Sequence, residues 1–118
     1  MPELWKERIE IARKYREWLP IIAAAVQEVL GEAEIYVFGS VAEGRAVLSS
    51  DIDILIVTDR KEVAKRKKRV EFIAKIEEKA GLPFIHPFEF HLMTEDEFKE
   101  WVEVFRPKLL RVSGLRSG

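Results

Sequence analysis

The 118-residue sequence predicts a small α/β (α+β) domain: a mixed β-sheet with helices packed on one face. Apolar residues recur at helical spacing from Pro2 to Leu30 and in two later segments. Two continuous apolar runs, Ile35-Tyr36-Val37-Phe38 and Ile52 to Val57, have the character of buried strands. A third extended run, PFIHPFEFHLMT, follows a long charged helix. Strands that alternate with helices in this order make a mixed sheet.

In the first segment Leu4, Ile11, Ala12, Tyr15, Leu19, Ile22, Val26 and Val29 follow one another at helical steps. Pro20 is expected to kink or split it into two helices, and Gly31 to cap its end. The Ile35–Phe38 strand then runs into Gly39-Ser40. Within the connection that follows, Ser40 can N-cap a single helical turn that Gly44 ends. Residues Arg60 to Ala80 form a charged helix with Val63, Val70, Ile73, Ile76 and Ala80 as a sparse apolar face, closed by Gly81. In the third extended run Phe88, Phe90 and Leu92 point one way and Glu89, His91 and Met93 the other. Thr94 with Glu97 is a capping box. Phe98, Trp101, Val102 and Phe105 are the stripe of a last helix stopped by Pro107, with Trp101 and Phe105 read as core. No repeat or linker interrupts this order. One domain is expected over residues 1–110, with a flexible tail over 111–118, and the sheet face opposite the helices is expected to stay open for a site.

Composition narrows the function classes. With 47 % apolar residues the chain can bury one core. Charged residues reach 35 % but the net charge is −1, which argues against general nucleic-acid or membrane-surface binding. The basic stretch KEVAKRKKR at 61–69 has acidic neighbours and no interleaved aromatics, so it reads as a solvated helix face. Absence of cysteine excludes disulfides and thiolate metal sites. Asn is also absent and Gln27 is the sole Gln, a composition typical of proteins from hot environments. No segment is apolar enough for a leader or a membrane span, and a soluble cytoplasmic protein is expected. Trp5 and Trp18 on the first helices fit either simple packing or a partner surface.

The chemistry concentrates in VFGSVAEGRAVLSSDIDILIV. Asp51 and Asp53 occupy alternate positions at the start of an apolar strand, and so share a face while Ile52, Ile54 and Ile56 face the core. Two carboxylates this close repel each other, and a buried one is costly without a partner. A divalent cation removes both penalties, and oxygen ligands favour Mg²⁺ or Mn²⁺. Gly39 lets backbone approach a ligand closely, and Ser40 adds a hydroxyl donor at a turn whose N–H groups attract phosphate. Together these halves describe a site for a metal-chelated nucleoside triphosphate.

Gly-Ser, ten residues, Asp-x-Asp, with Ala42, Gly44 and Ser50 between, resembles the minimal nucleotidyltransferases of the DNA polymerase β-like superfamily. The resemblance runs from the first helices to the EFHL strand and implies the polymerase β-like nucleotidyltransferase fold. It also implies a third carboxylate on a neighbouring strand, for which Glu89 is the candidate. Asp51, Asp53 and Glu89 would then be the catalytic metal ligands, and Gly39, Ser40, Arg45 and Ser50 would bind the nucleotide. Many relatives carry a basic residue where Glu43 stands, and Arg45 is the nearest cation here. The implied reaction is attack of an acceptor hydroxyl on the α-phosphorus of ATP, with pyrophosphate leaving. His91 shares the face of Glu89 and reads as structural or exposed, and His86 reads as a turn residue.

Larger members of the superfamily carry an acceptor-binding domain, and the chain is nearly all core, so the acceptor is expected to be, or to be held by, another protein. Minimal members are typically paired with a small helical HEPN toxin, which some of them modify with AMP. The resemblance therefore implies an antitoxin that adenylylates its HEPN partner. Two alternatives stay open: an antitoxin that acts by complex formation alone, and a small-molecule nucleotidyltransferase that works as a homodimer.

Overall fold

The computed structural model describes residues 2–112. Helices α1 (Glu3–Arg13) and α2 (Tyr15–Leu30) precede strands β1 (Ala33–Phe38) and β2 (Ile52–Thr58). A 3₁₀ turn over Lys61–Ala64 leads into α3 (Arg66–Ala80), followed by β3 (Phe88–Thr94), α4 (Glu95–Phe105) and the two-residue strand β4 (Leu110–Arg111). The strands form one mixed sheet in the order β3-β2-β1-β4, in which β2 is antiparallel to β1 and parallel to β3. A parallel pair needs a crossover, and α3 supplies it.

The mixed sheet with packed helices is the expected architecture. Ile35, Val37, Ile52, Ile54, Ile56, Phe88 and Leu92 join Ile22 and Val26 of α2 and Phe72 and Ile76 of α3 in one buried cluster. The alternate residues of β2, Leu55 and Val57, are buried as well, because α4 lies over part of the opposite face. Phe98 stacks on Tyr36 with centroids 5.5 Å apart, and Trp101 meets Phe38 edge-on at 5.2 Å. Burial on both faces explains why β2 is an almost unbroken apolar run. It also means that the face expected to stay open is partly roofed, with α4 reaching the strand end where β1 gives way to Gly39.

Several local expectations are corrected. The first segment does break into two helices, but at Lys14 rather than at Pro20, which lies inside α2. Pro20 and Arg16 are both exposed, so water can serve the Arg16 carbonyl that the proline leaves without a donor. On the long helix Val70 is 62 % exposed and Phe72 is buried. The chain kinks between the 3₁₀ turn and α3, which resets the helical phase so that Phe72, Ile76 and Ala80 face the sheet. Phe105 is 69 % exposed and so is not core, whereas Trp101 is half-buried against Phe38. Leu110 and, from the expected tail, Arg111 pair with β1, and the Val112 N–H donates to the Ile35 carbonyl. The rest of it, 113–118, lies outside the described residues. Among the described residues no helix is long and apolar enough to cross a membrane.

The capping box is present in full: the Glu97 N–H donates to Thr94 Oγ1, and the Thr94 N–H to Glu97 Oε1. Glu97 also pairs with Arg69, tying α4 to α3. Burial raises the Glu97 pKa, but these hydrogen bonds and the Arg69 charge outweigh it and hold the carboxyl below its ordinary value. A depressed carboxyl contributes stability that is present above its unfolded pKa and is lost as pH falls through the folded one. In urea unfolding at neutral pH, Thr94→Ala should therefore cost about 1 kcal/mol. Glu97→Gln should lose stability relative to wild type at neutral pH, with the gap closing as the solution is acidified below the ordinary carboxylate range.

Candidate active site

The register of the sheet builds the site. Phe38 of β1, Asp53 of β2 and Glu89 of β3 are direct cross-strand neighbours and form a row across three strands. His91 stands two residues beyond Glu89 on the same face. The Ile52 N–H donates to the Pro87 carbonyl at 2.8 Å, which locks the start of β2 to the approach of β3 just where the acidic residues begin.

Asp53 is half-buried, and its carboxylate lies directly on the backbone of Gly39. A Cβ at position 39 would come within 2.2 Å of Asp53 Oδ2, and Gly39 has φ +74°, so both space and conformation demand glycine there. The Gly-Ser turn and the second aspartate thus meet as one unit. His91 Nε2 lies 3.2 Å from Asp53 Oδ1 and 3.9 Å from Glu89 Oε1. Asp53, Glu89 and His91 each offer one atom within 4.8 Å of the others, a donor set that fits a divalent cation.

Asp51 has a different partner. Arg8 of α1, whose side chain is only 9 % exposed, donates from Nη2 to Asp51 Oδ1 at 2.9 Å. The Asp51 side chain is otherwise open to solvent, and it is not among the three convergent donors. Arg8 was not foreseen from the sequence: it lies on a helix distant in the chain, and only its spacing from Ile11 on the buried side of α1 could have drawn notice. His86 lies in the connection between α3 and β3, as expected of a turn residue. Its side chain is buried, with Nε2 2.6 Å from Glu77 Oε2 and Nδ1 accepting from the Phe88 N–H at 3.1 Å, so it fastens α3 to the start of β3.

After Gly39 the chain makes the single turn expected there, ended by Gly44, and no longer helix follows it. The Glu43 N–H donates to the Gly39 carbonyl and the Arg45 N–H to that of Ser40, with Gly44 at φ +74°. The N–H groups of Ser40, Val41 and Ala42 are not used in closing this turn. Ser40 itself is half-buried and makes no side-chain cap there. Arg45 turns its guanidinium onto Glu43 at 2.9 Å. The Ser50 hydroxyl accepts from the Val47 N–H at 3.0 Å and so shapes the loop that enters β2.

A family model described as a nucleotidyltransferase domain matches residues 19–106, about three-quarters of the chain. The chain belongs to the nucleotidyltransferase domain family. One solved structure, named only as that of a candidate nucleotidyltransferase, is 37 % identical, with a TM-score of 0.57 over 76 % of this chain and 91 % of the other. A second, of a candidate nucleotidyltransferase from Sulfolobus solfataricus, is 19 % identical with a TM-score of 0.54, covers 94 % of this chain and 86 % of its own, and shares the fold. A search of curated proteins found no significant match. The matched family span contains Gly39, Ser40, Asp51, Asp53 and Glu89. Domains of this family transfer nucleotidyl groups and typically use a divalent metal with a nucleoside triphosphate, in keeping with the donor set at Asp53.

Gly39→Ala should destabilise the fold by about 1–3 kcal/mol from backbone strain alone. It should also displace Asp53, seen as shifted backbone resonances across β1 and β2. Asp51→Ala leaves a buried guanidinium without its carboxylate and should cost about 1–3 kcal/mol in thermal or urea unfolding. Asp59→Ala, at an exposed position just beyond β2, is the control and should change stability by less than about 0.5 kcal/mol.

Proposed function

We propose that this nucleotidyltransferase moves AMP from ATP to a hydroxyl group of a partner HEPN-domain toxin, and acts as the antitoxin of that pair. The observation that carries the transferase part is the seating of the Asp53 carboxylate on Gly39, with Glu89 beside it across the β2–β3 pair. The partner and the antitoxin role rest on the resemblance of the Gly-Ser to Asp-x-Asp motif to minimal nucleotidyltransferases.

In this reading a divalent cation at Asp53 and Glu89 would offset triphosphate charge and ease ionisation of the acceptor hydroxyl. The chain's own groups do the rest. Gly39, lacking a side chain, leaves room for the Asp53 carboxylate against the backbone, and the N–H groups of Ser40 to Ala42 with the Ser40 hydroxyl are donors for phosphate oxygens. Glu89, exposed at the rim, can take the proton as the hydroxyl oxygen bonds to the α-phosphorus. The bond from the α-phosphorus to the bridging oxygen breaks, and pyrophosphate carries away the electron pair. Phe38, wedged between His91 and Trp101, gives one side of the site a rigid apolar wall.

A second reading has one observation in its favour. Asp51 is engaged by Arg8 rather than turned toward Asp53 and Glu89, as expected of a site that binds nucleotide without turnover and of an antitoxin that works by complex formation.

Incubation with labelled ATP, Mg²⁺ or Mn²⁺ and a HEPN-domain protein that binds this chain separates the two. Transfer predicts a gain of AMP on that partner by intact mass, reduced roughly a hundredfold or more by Asp53→Asn and by Glu89→Gln. A stable complex with no mass gain, and neutralisation unchanged in Asp53→Asn, would establish the second reading instead.

A further inference from the structure

We propose that His91 is a ligand of the cation held at Asp53 and Glu89, and that it makes the site select Mn²⁺ over Mg²⁺. The inference rests on the reading of this cluster as the metal site of the transferase.

Three facts of geometry point to His91. Its Nε2 is the ring atom turned toward the carboxylates, 3.2 Å from Asp53 and 3.9 Å from Glu89. The ring is held there by the edge of Phe38, with centroids 4.9 Å apart and planes at 65°, so its direction is set by packing as well as by charge. Finally, Asp51, the other carboxylate of the Asp-x-Asp pair, is tied to Arg8 and absent from the convergent set.

Ligand atoms about 2.0–2.2 Å from one ion stand at most about 4.4 Å apart. Donor atoms already within 4.8 Å of one another therefore need only small rotations to share a cation. Without metal, a proton on Nε2 can occupy the same space, bridging imidazole and carboxylate. A lysine or arginine would balance two carboxylates at any accessible pH, but neither can donate a lone pair to a metal. An imidazole can do both. It also changes the preference of the site: Mg²⁺ takes oxygen ligands almost exclusively, whereas a mixed carboxylate–imidazole set suits first-row transition ions. Mn²⁺ is the member of that series whose usual ligands are, like those of Mg²⁺, carboxylate, carbonyl and water oxygens, and a triphosphate would bring such oxygens to the remaining positions.

The test uses the full chain without nucleotide. Mn²⁺ and Mg²⁺ binding are measured by calorimetry, with free Mn²⁺ followed by electron paramagnetic resonance, for wild type, His91→Gln and His91→Asn. Wild type should bind Mn²⁺ at least about tenfold more tightly than Mg²⁺. Both variants should lose about tenfold or more of the Mn²⁺ affinity while Mg²⁺ binding changes little. Imidazole nitrogen spectra of wild type titrated with diamagnetic Zn²⁺ give a readout that needs no variant. The Nε2 resonance of His91 should move to the position of a coordinated nitrogen while His86 does not. Unchanged Mn²⁺ affinity in both variants, or a His91 resonance that stays put while Asp53→Asn abolishes binding, would overturn the assignment. Failure of the transferase reading looks different: Mn²⁺ preference and its loss in the variants would persist, with no AMP transferred in any metal.

Discussion

A carboxylate sits on β2, an interior strand that is otherwise almost wholly apolar, and the rest of the site is arranged around it. Asp53 belongs to β2, which is sealed by α2 and α3 on one face and by α4 over part of the other. The strand can tolerate it only at its first turn of pleat, beyond the reach of Leu55 and Val57, where Gly39 leaves a gap the size of a missing side chain. Packing density elsewhere on β2 therefore holds the charged residue still. A side chain on a rigid strand, rather than on a loop, keeps its geometry without a ligand present.

The two aspartates of one motif meet different electrostatic environments only two residues apart. Asp53 faces an imidazole and a second carboxylate, a set that can bind a cation or share a proton. Asp51 faces a buried guanidinium whose own desolvation would be costly without that carboxylate, so the pair also anchors α1 to the sheet. Structure and chemistry are coupled at this point: any rearrangement that turned Asp51 toward Asp53 would have to leave Arg8 with another partner. The N-terminal helix, which contributes little to the central core, thereby acquires an influence on the site.

Features governed by neighbours in the chain were legible. The Thr94–Glu97 capping box, the strands at Ile35–Phe38 and Ile52–Val57, and the shared face of Glu89 and His91 follow from local spacing. Features governed by competition between distant surfaces were not. The break at Lys14 rather than Pro20 goes with an α1 whose Arg8 meets Asp51, 43 residues away, and no local propensity records that pairing. Val70 and Phe72 are equally plausible core residues by composition, and the phase of α3 after the 3₁₀ turn chose the larger.

From residue order alone come the mixed α/β class, the nucleotidyltransferase motif and the face on which its carboxylates begin, because period-two and helical patterns are properties of a single chain segment. Tertiary packing assigned the partners: Gly39 under Asp53, His91 beside two carboxylates, Arg8 against Asp51, and α4 across part of the second face. Those contacts join residues of different elements, and their energies depend on distances of a few ångströms that exist only once the sheet has closed.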